Sequence, residues 1–283
     1  MLYEGRTDLA SESLRQLGGG LADLSREKGV KAGTELLYGL KLSAVHILDE
    51  MGEIAIGKPR GRYYTLELPS HFHRGGDAFP SAVKAIADLI GRCCKKPSSV
   101  LVACLGNPDI SPDALGPLAA GWILVTRHLK QMGERSFEDL CSVAVCRPGV
   151  LGSSGIESSQ QVALLVKDLK PDLLLCIDAL AGADDDMLCR CIQISDKGIR
   201  PGSGVGNDRK ELSRDSLGLD VVSIGMPTVL DASLLGARGR PGLFVTSRDI
   251  DLCVRSAARL IGYGIDLALS PELSIEDLDM LLG

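Results

Sequence analysis

Residues 99–117, SVLVACLGNPDISPDALGP, begin with a short apolar run and continue into a loop that carries Asp109 and Asp113. In open α/β sheets, ligands bind in the crevice beyond the carboxyl ends of the strands. A second apolar run of strand length, DLLLCID at 172–178, finishes on Asp178. If the two strands are parallel neighbours, Asp113 and Asp178 face the same crevice. The sequence therefore predicts an aspartate pair at one edge of an α/β sheet.

Two carboxyl groups that face each other can share a proton. Like charges at short distance disfavour double ionisation, so one acid stays protonated and polarises a carbonyl while the other deprotonates water. Peptide hydrolysis is the expected use of such a pair. Asp113 could instead cap a helix, because Gly116 and Pro117 follow it and amide groups at a helix start favour an anion. The sequence leaves that alternative open.

Strand and helix patterns alternate along the rest of the chain. The predicted strands are 99–105, 141–147, 172–178, 189–195 and 220–225. The predicted helices are 80–94, 118–129, 158–169, 249–269 and a short capped helix at Ser274. This alternation indicates parallel βαβ units with right-handed crossovers. We therefore expect an α/β fold whose mostly parallel, twisted sheet is flanked by helices.

The N-terminal part follows a different pattern. Residues 41–49 and 62–68 alternate like strands, and the turn residues GKPRG precede the second of them. These two segments predict an N-terminal β-hairpin. Residues 11–25 and 34–40 carry weak helical patterns separated by a glycine-rich break.

Charge and hydropathy limit the classes of partner. The chain has 37 acidic and 31 basic residues, a net charge of −6, whereas nucleic-acid-binding faces are rich in Lys and Arg. We expect no direct nucleic-acid contact. Apolar stretches are far shorter than the roughly 20 residues that cross a bilayer, and MLYEGRTDLASE at the N-terminus lacks the apolar core of a signal peptide. We expect a cytoplasmic protein without membrane contact.

The thiols and imidazoles give little support to a metal or nucleophile site. None of the nine cysteines is spaced CxxC, and Cys104, Cys176 and Cys253 lie in apolar runs, which is typical of buried reduced thiols. His71 and His73 lack a clear acid or thiol partner. A serine hydrolase elbow, GxSxG, is also missing. No cofactor and no metal site are expected.

The loop GIRPGSGVGN at 198–207 is rich in glycine. Its amides could hold an anion or an extended substrate chain, because glycine permits positive φ and close backbone approach. Charged residues follow these glycines, so the loop does not match the nucleotide-binding motifs. The candidate substrate-binding residues are Gly106 and Asn107, which follow the predicted strand 99–105, and Gly202, Ser203, Gly204, Gly206 and Asn207 in this loop.

A series of short runs, in order along most of the chain, resembles the germination protease family of spore-forming bacteria. The runs are RTDLASE at 6–12, IGKPRGRYYTLE at 56–67, LGNPDISPDALGP at 105–117, TRHL at 126–129, PGVLGSSGIE at 148–157, DALA at 178–181, IQISDKGIRPGSGVGN at 192–207, IGMPTVLDA at 224–232 and VTSRDID at 245–251. Each run alone is a weak signal, but their number and order make the match specific.

The resemblance implies an atypical aspartic endopeptidase on an α/β fold shared with hydrogenase-maturation peptidases. The acids of the family's PDALGP and DALA motifs, its proposed catalytic pair, correspond to Asp113 and Asp178. The resemblance also implies small acid-soluble spore proteins as substrates, a location in the forespore or spore core, and a homotetramer. Family members are made as self-processing zymogens that remove a short N-terminal arm.

The family's self-cleavage site matches RTDLASE, which places the scissile bond between Asp8 and Leu9. Residues 1–8 would be the propeptide, and residues 9–283 a single α/β peptidase domain. The segment TDLASE also looks like the sequence that the family recognises in its substrates.

Two departures from the family pattern keep other functions open. The segment GARGRPG at 236–242 is shorter than its counterpart in most members, and the pro-arm is short. One alternative is a catalytically inactive member that acts as a binding or regulatory protein. Another is a metal-dependent maturation peptidase in which the two acids are ligands, since carboxylates suit hard cations.

Overall fold

The computed structural model describes residues 7–17, 29–69, 72, 78–202, 210–235 and 242–283. The strands are β1 (Val30–Leu37), β2 (Leu40–Ile47), β3 (Gly61–Glu67), β4 (Ser99–Cys104), β5 (Ser142–Cys146), β6 (Leu173–Gly182), β7 (Cys191–Ser195), β8 (Asp220–Asp231) and β9 (Phe244–Val245). The helices are α1 (Ala10–Gln16), α2 (Glu50–Ile56), α3 (Ala78–Cys93), α4 (Leu115–Ala119), α5 (Arg127–Gln131), α6 (Leu151–Ser154), α7 (Ser158–Leu169), α8 (Arg214–Leu217), α9 (Ile250–Leu269) and α10 (Ile275–Leu282).

The described strands form one sheet in the order β1-β2-β3-β7-β8-β6-β4-β5, with β9 paired to β8. The strands β5, β4, β6 and β8 are parallel neighbours. Helices α3 and α9 cover one face of the sheet and α7 covers the other. A parallel strand covered on both faces is expected to be almost entirely apolar, as the runs in β4 and β6 are. The predicted α/β class, with a central sheet flanked by helices, is confirmed.

The half of the sheet beyond β8 is antiparallel. Strand β7 runs antiparallel to both β8 and β3, and β3, β2 and β1 continue the antiparallel order. The sequence pattern predicts an antiparallel hairpin for the N-terminal strands, but it predicts parallel pairing for β7. However, only residues 183–190 separate β6 from β7, and a parallel crossover needs a dozen residues or more. The short connection therefore reverses the chain direction.

The N-terminal hairpin is present with one more strand than predicted. Strand β2 pairs with β3 as expected, although α2 lies between them, and β2 also pairs with β1. Residues 34–40, predicted as helical, belong to this second hairpin. Tyr38 and Gly39 both have positive φ, at 50° and 80°, which is the backbone of a two-residue hairpin turn. This turn chemistry overrides a weak helical pattern.

The predicted helices are confirmed at α3, α7 and α9 and, for the short capped helix, at α10, but the segment 118–129 is not one helix. Helix α4 gives way to a 3₁₀ turn at Ala120–Trp122, and Ile123 is extended before α5 begins. The Leu124 N–H then donates to Asp266 of α9. A tertiary hydrogen bond thus stabilises a break that the apolar spacing does not show. None of the described helices is long and apolar enough to cross a membrane.

The buried carboxyl group of Asp266 is expected to make the free energy of unfolding depend on pH. Its carboxylate is 3% exposed and accepts from Leu124 N–H at 3.0 and 3.1 Å, and burial raises its pKa well above the ordinary value. The folded state therefore binds this proton more tightly than the unfolded chain, so the free energy of unfolding falls as the pH rises through the raised pKa. Asp266→Asn cannot ionise but retains an acceptor oxygen. Urea unfolding between about pH 5 and 8 should give a flatter stability profile for the variant than for the wild type; parallel profiles would contradict this assignment.

Candidate active site

The loop after β4 holds Asp113 in one position. Gly106 has φ +114°, and a Cβ there would lie 2.1 Å from the Asp113 carbonyl oxygen, so only glycine fits. The Asn107 N–H donates to the Asp113 carbonyl oxygen at 3.0 Å and to its Oδ2 at 2.9 Å. The 3₁₀ turn Ser111–Asp113 follows from this folded-back loop. The backbone of Gly106 and Asn107 therefore fixes the position of Asp113 and of its carboxylate.

Asp113 does not occupy the N-cap position of α4. The cap residue of that helix is Ala114, and no side chain accepts a capping hydrogen bond there. The Asp113 carboxylate instead accepts from the Asn107 amide behind it. In the described structure, Ala114 and not Asp113 therefore occupies the N-cap position of α4.

Asp178 lies inside β6, which continues to Gly182 and does not end at Asp178 as predicted. The ladder between β4 and β6 stops at Cys104 and Ile177, and the Leu105 N–H donates to the Ile177 carbonyl at 2.8 Å. Asp178 is thus the first residue of β6 after its pairing with β4 ends. Its side chain is 5% exposed and accepts from the Ala179 N–H at 2.9 Å.

Asp113 and Asp178 line the same cleft, whose volume is about 1190 Å³. The turn Ser111–Asp113 packs against both β6 and β8, next to the strand that carries Asp178. The cleft opens at the carboxyl ends of the parallel strands, where open α/β sheets bind ligands. The structure therefore brings together the two acids that the sequence singled out from separate segments.

The same cleft holds the start of the described chain. The Asp8 N–H donates to the Ala181 carbonyl, and the Ala181 N–H donates to Asp8 Oδ2, each at 2.8 Å. Gln193 Nε2 donates to the Asp8 carbonyl at 2.9 Å, and Lys58 Nζ donates to the Thr7 carbonyl at 3.0 Å. The segment Thr7-Asp8 is thus bound along the part of β6 that follows Ile177, where β6 no longer pairs with β4.

The residues that follow Asp8 belong to the protein interior. Leu9 and Leu14 are fully buried, which anchors α1 against the sheet. Glu12 is 2% exposed and accepts from the Ala183 N–H at 2.7 Å and from the Asp184 N–H at 3.2 Å. The Thr7 hydroxyl also donates to Glu12. Burial raises the pKa of Glu12, and these hydrogen bonds oppose that increase.

The glycine-rich loop contributes to the cleft through its described part. Arg200, Pro201 and Gly202 line the cleft, and the bridge between Ile199 and Leu212 closes the base of the loop. The other candidates from this loop, Ser203, Gly204, Gly206 and Asn207, lie outside the described residues, as does segment 236–241. Gly106 also lines the cleft.

Two residues of the cleft carry no prediction from the sequence. Lys58 belongs to GKPRG, which reads as turn chemistry, and Gln193 belongs to an apolar strand. Desolvation lowers the pKa of Lys58, while the charges of Asp8 and Glu12 raise it. The sequence offers only two signals for these residues: Lys58 stands in a turn flanked by two glycines, and Gln193 is a lone glutamine in an apolar strand. Neither indicates a contact with the N-terminus.

The thiols and the two described imidazoles, those of His46 and His128, do not line the cleft. All nine cysteines are free, and Cys104, Cys176 and Cys253 are buried as predicted. Burial raises the pKa of Cys146 to about 11, which disfavours a thiolate nucleophile. Across the described ranges, no three His, Cys, Asp or Glu side chains are grouped so as to hold a metal ion. His71 and His73 lie outside those ranges.

Comparisons with known proteins agree on one family. The model of the family described as germination protease matches residues 8–239. The chain is 38% identical, over an alignment 324 positions long, to the germination protease of Caldanaerobacter subterraneus subsp. tengcongensis, and the alignment covers 98% of both proteins. It is 33% identical, over an alignment 337 positions long, to that of Clostridium perfringens (strain ATCC 13124), and the alignment covers 100% of both proteins. For the germination protease of Geobacillus sp. (strain WCH70) the identity is 38%, covering 93% of this chain and 71% of that protein.

Among solved structures, the chain is similar to a [NiFe] hydrogenase maturation protease, HycI, from Thermococcus kodakarensis KOD1. The TM-score is 0.38 and the sequence identity 19%, and the likeness covers 64% of this chain and 97% of that one.

Proposed function

This chain belongs to the germination protease family, and from that membership we propose that it is an endopeptidase that degrades small acid-soluble spore proteins during germination. The observation that supports this best is the shared cleft of Asp113 and Asp178, in which a segment of the chain itself, Thr7-Asp8, is bound as a peptide. A cleft that holds an extended peptide next to two carboxylic acids has the parts that peptide hydrolysis needs.

The proposed reaction uses the two acids in different protonation states. One carboxylate takes a proton from a water molecule, and the resulting hydroxide attacks the scissile carbonyl. The other acid, protonated, donates its proton to the carbonyl oxygen as negative charge develops there. The first acid then gives the proton it took from water to the amide nitrogen, the C–N bond breaks, and the second acid takes its proton back as the new carboxyl group forms and the amine leaves. The backbone N–H of Asn107 already donates to Asp113, so its part in this scheme is to hold Asp113 rather than to bind substrate.

We also propose that the chain is a zymogen that cleaves itself between Asp8 and Leu9. Residues 1–8 would then be a propeptide and residues 9–283 a single peptidase domain. Leu9 and α1 remain packed in the interior, whereas Thr7 and Asp8 contact the cleft mainly through hydrogen bonds. Removal of residues 1–8 would open the cleft without unfolding the core. A homotetramer in the forespore or spore core completes the proposal, and it rests on the family alone.

Incubation of the purified full-length chain tests this function. We expect intact mass and N-terminal sequencing to show loss of residues 1–8, and the processed chain to cleave a peptide that contains TDLASE after its Asp. An Asp178→Asn chain purified in parallel reports any contaminating protease. A chain that stays whole and cleaves nothing, yet binds the peptide, would favour the inactive regulator. Activity that chelation removes and a divalent cation restores would favour the metal-dependent peptidase.

A further inference from the structure

The Thr7 hydroxyl links the nitrogen of the proposed scissile bond to a buried acid. Its Oγ1 accepts from the Leu9 N–H at 3.0 Å and donates to the Glu12 carboxylate. The Leu9 nitrogen and the Glu12 carboxylate therefore lie on either side of a single hydroxyl group. Self-processing between Asp8 and Leu9 would remove this hydroxyl together with residues 1–8, and it would leave the nitrogen next to the acid.

Hydrolysis changes the chemistry of the Leu9 nitrogen. Water adds its hydroxyl group to the Asp8 carbonyl carbon and a hydrogen to the nitrogen as the C–N bond breaks, so that a carboxyl group and an amine form. An α-amino group has an ordinary pKa of about 7.7–8.0 and is mostly protonated at pH 7. Processing therefore places a positive charge on a residue whose side chain is fully buried. A buried charge is costly unless an acid pairs with it.

Three contacts hold Leu9 in place. Its side chain packs in the interior with 0% exposure. Its carbonyl accepts from the Ser13 N–H at 3.1 Å in the first turn of α1, and the N–H of the next residue, Ala10, donates to Gln193 Oε1 at 2.8 Å. All of these contacts lie on the carboxyl side of the scissile bond, so they do not depend on the departing segment. The new amine therefore stays at the position of the peptide nitrogen.

Glu12 is also held in place, at the end of β6. It is 2% exposed and accepts from the Ala183 and Asp184 N–H groups at 2.7 and 3.2 Å. These two residues directly follow Gly182, the last residue of the strand that carries Asp178. Loss of the bridging hydroxyl leaves the carboxylate with one donor fewer, and an ammonium group carries three N–H donors.

Among the described residues, Asp184 and Lys58 are the other charged side chains that interact with Glu12. Asp184 pairs with Arg15, Nη1 to Oδ2 at 3.3 Å, so its charge is partly compensated. Lys58 Nζ donates to a backbone carbonyl of the departing segment at 3.0 Å. Lys58 is therefore the competing cation, but the Leu9 nitrogen is the group joined to Glu12 through one hydroxyl.

We propose that Glu12 is the counter-ion of the N-terminus that processing creates, and that the Leu9 ammonium forms an ion pair with its carboxylate in place of the Thr7 hydroxyl. This inference rests on the self-processing proposed above. The peptide nitrogen is neutral before cleavage, so the pair forms only in the processed chain. It joins the start of α1 to the residues that follow β6, and it thereby holds the processed N-terminus on the strand that carries Asp178.

The pKa of the Leu9 α-amino group in the processed wild-type chain tests the ion pair. It is measured by competitive labelling with trace acetic anhydride at a series of pH values, followed by mass spectrometry of the N-terminal peptide. An acid at short distance raises the pKa of an amine by about 1–3 pH units, whereas burial without a partner lowers it. We expect a pKa at least about one pH unit above the ordinary range. A pKa within that range or below it would overturn the ion pair.

Two variants identify the acid. In Glu12→Gln, processed by a trace of the mature wild-type enzyme, the pKa of the amine should fall to the ordinary range or below it, because the amide keeps the shape but carries no charge. Asp184→Asn is the matched control, since Asp184 follows the same strand and already pairs with Arg15, and there the pKa should stay raised. If Glu12→Gln resists cleavage, the wild-type pKa decides alone.

The outcomes separate the ion pair from the function on which it rests. If the chain keeps residues 1–8, the self-processing proposal fails, and the ion pair with it. If the chain loses residues 1–8 and the pKa of its amine is not raised, or stays raised in Glu12→Gln, the ion pair is wrong while self-processing stands. Capture of Glu12 by Lys58 would give the first of these two results, because the amine would then lack its acid.

Discussion

Asp178→Asn and Asp113→Asn should each lower kcat for peptide cleavage by about 10²–10⁴-fold, with little change in folding. Both substitutions keep the side-chain shape and an acceptor oxygen. The Ala179 N–H can still donate to residue 178, and the Asn107 N–H can still donate to residue 113. What each variant loses is the ability to exchange a proton with water or with the scissile carbonyl.

The double variant separates a cooperating pair from two independent acids. Residues that act as one unit are strongly non-additive, so the double variant should be little slower than the slower single variant. Asp109→Asn is the matched control, because Asp109 is exposed and lies in the same loop, and its activity should equal that of the wild type. Near-normal cleavage by either single variant would contradict the proposed mechanism.

Gly106→Ala should have the second large effect, on both stability and activity. The positive φ at this position is costly for any residue with a Cβ, and that Cβ would lie 2.1 Å from the Asp113 carbonyl oxygen, which is backbone. Backbone atoms cannot rotate away as a side chain can, so the loop must shift. We expect a loss of about 2–5 kcal/mol in the free energy of unfolding, measured by urea denaturation.

The matched control for Gly106→Ala is Gly133→Ala. Gly133 also has a positive φ, +75°, but a Cβ there would meet nothing within 4 Å. Its cost should be about 1–2 kcal/mol, from backbone conformation alone. At a temperature where both variants are folded by circular dichroism, Gly133→Ala should keep full activity. Gly106→Ala should lose most of it, because Asp113 moves with the loop. Equal activities would mean that this glycine does not position the acid.

Local patterns predicted the elements near the site well. The apolar runs of β4 and β6 and the loop with Asp113 were visible in the sequence, because a strand buried on both faces needs a continuous apolar run. Helices such as α7 were predicted at their observed bounds, since amphipathic spacing is a local property. The helical prediction for 34–40 was wrong because a turn with two positive φ values made that segment a strand.

The sequence by itself determined the α/β class, the order of the main elements, the family and the two candidate acids. Each of these depends on residues close together in the chain or on motifs whose order can be read directly. Only the tertiary structure decided that β7 runs antiparallel, that Asp8 binds to Ala181, and that Lys58 and Gln193 face that segment. These pairings join residues far apart in sequence. Hydrogen bonds between such residues depend on how the packed sheet brings them together, and no local pattern of residues records that distance.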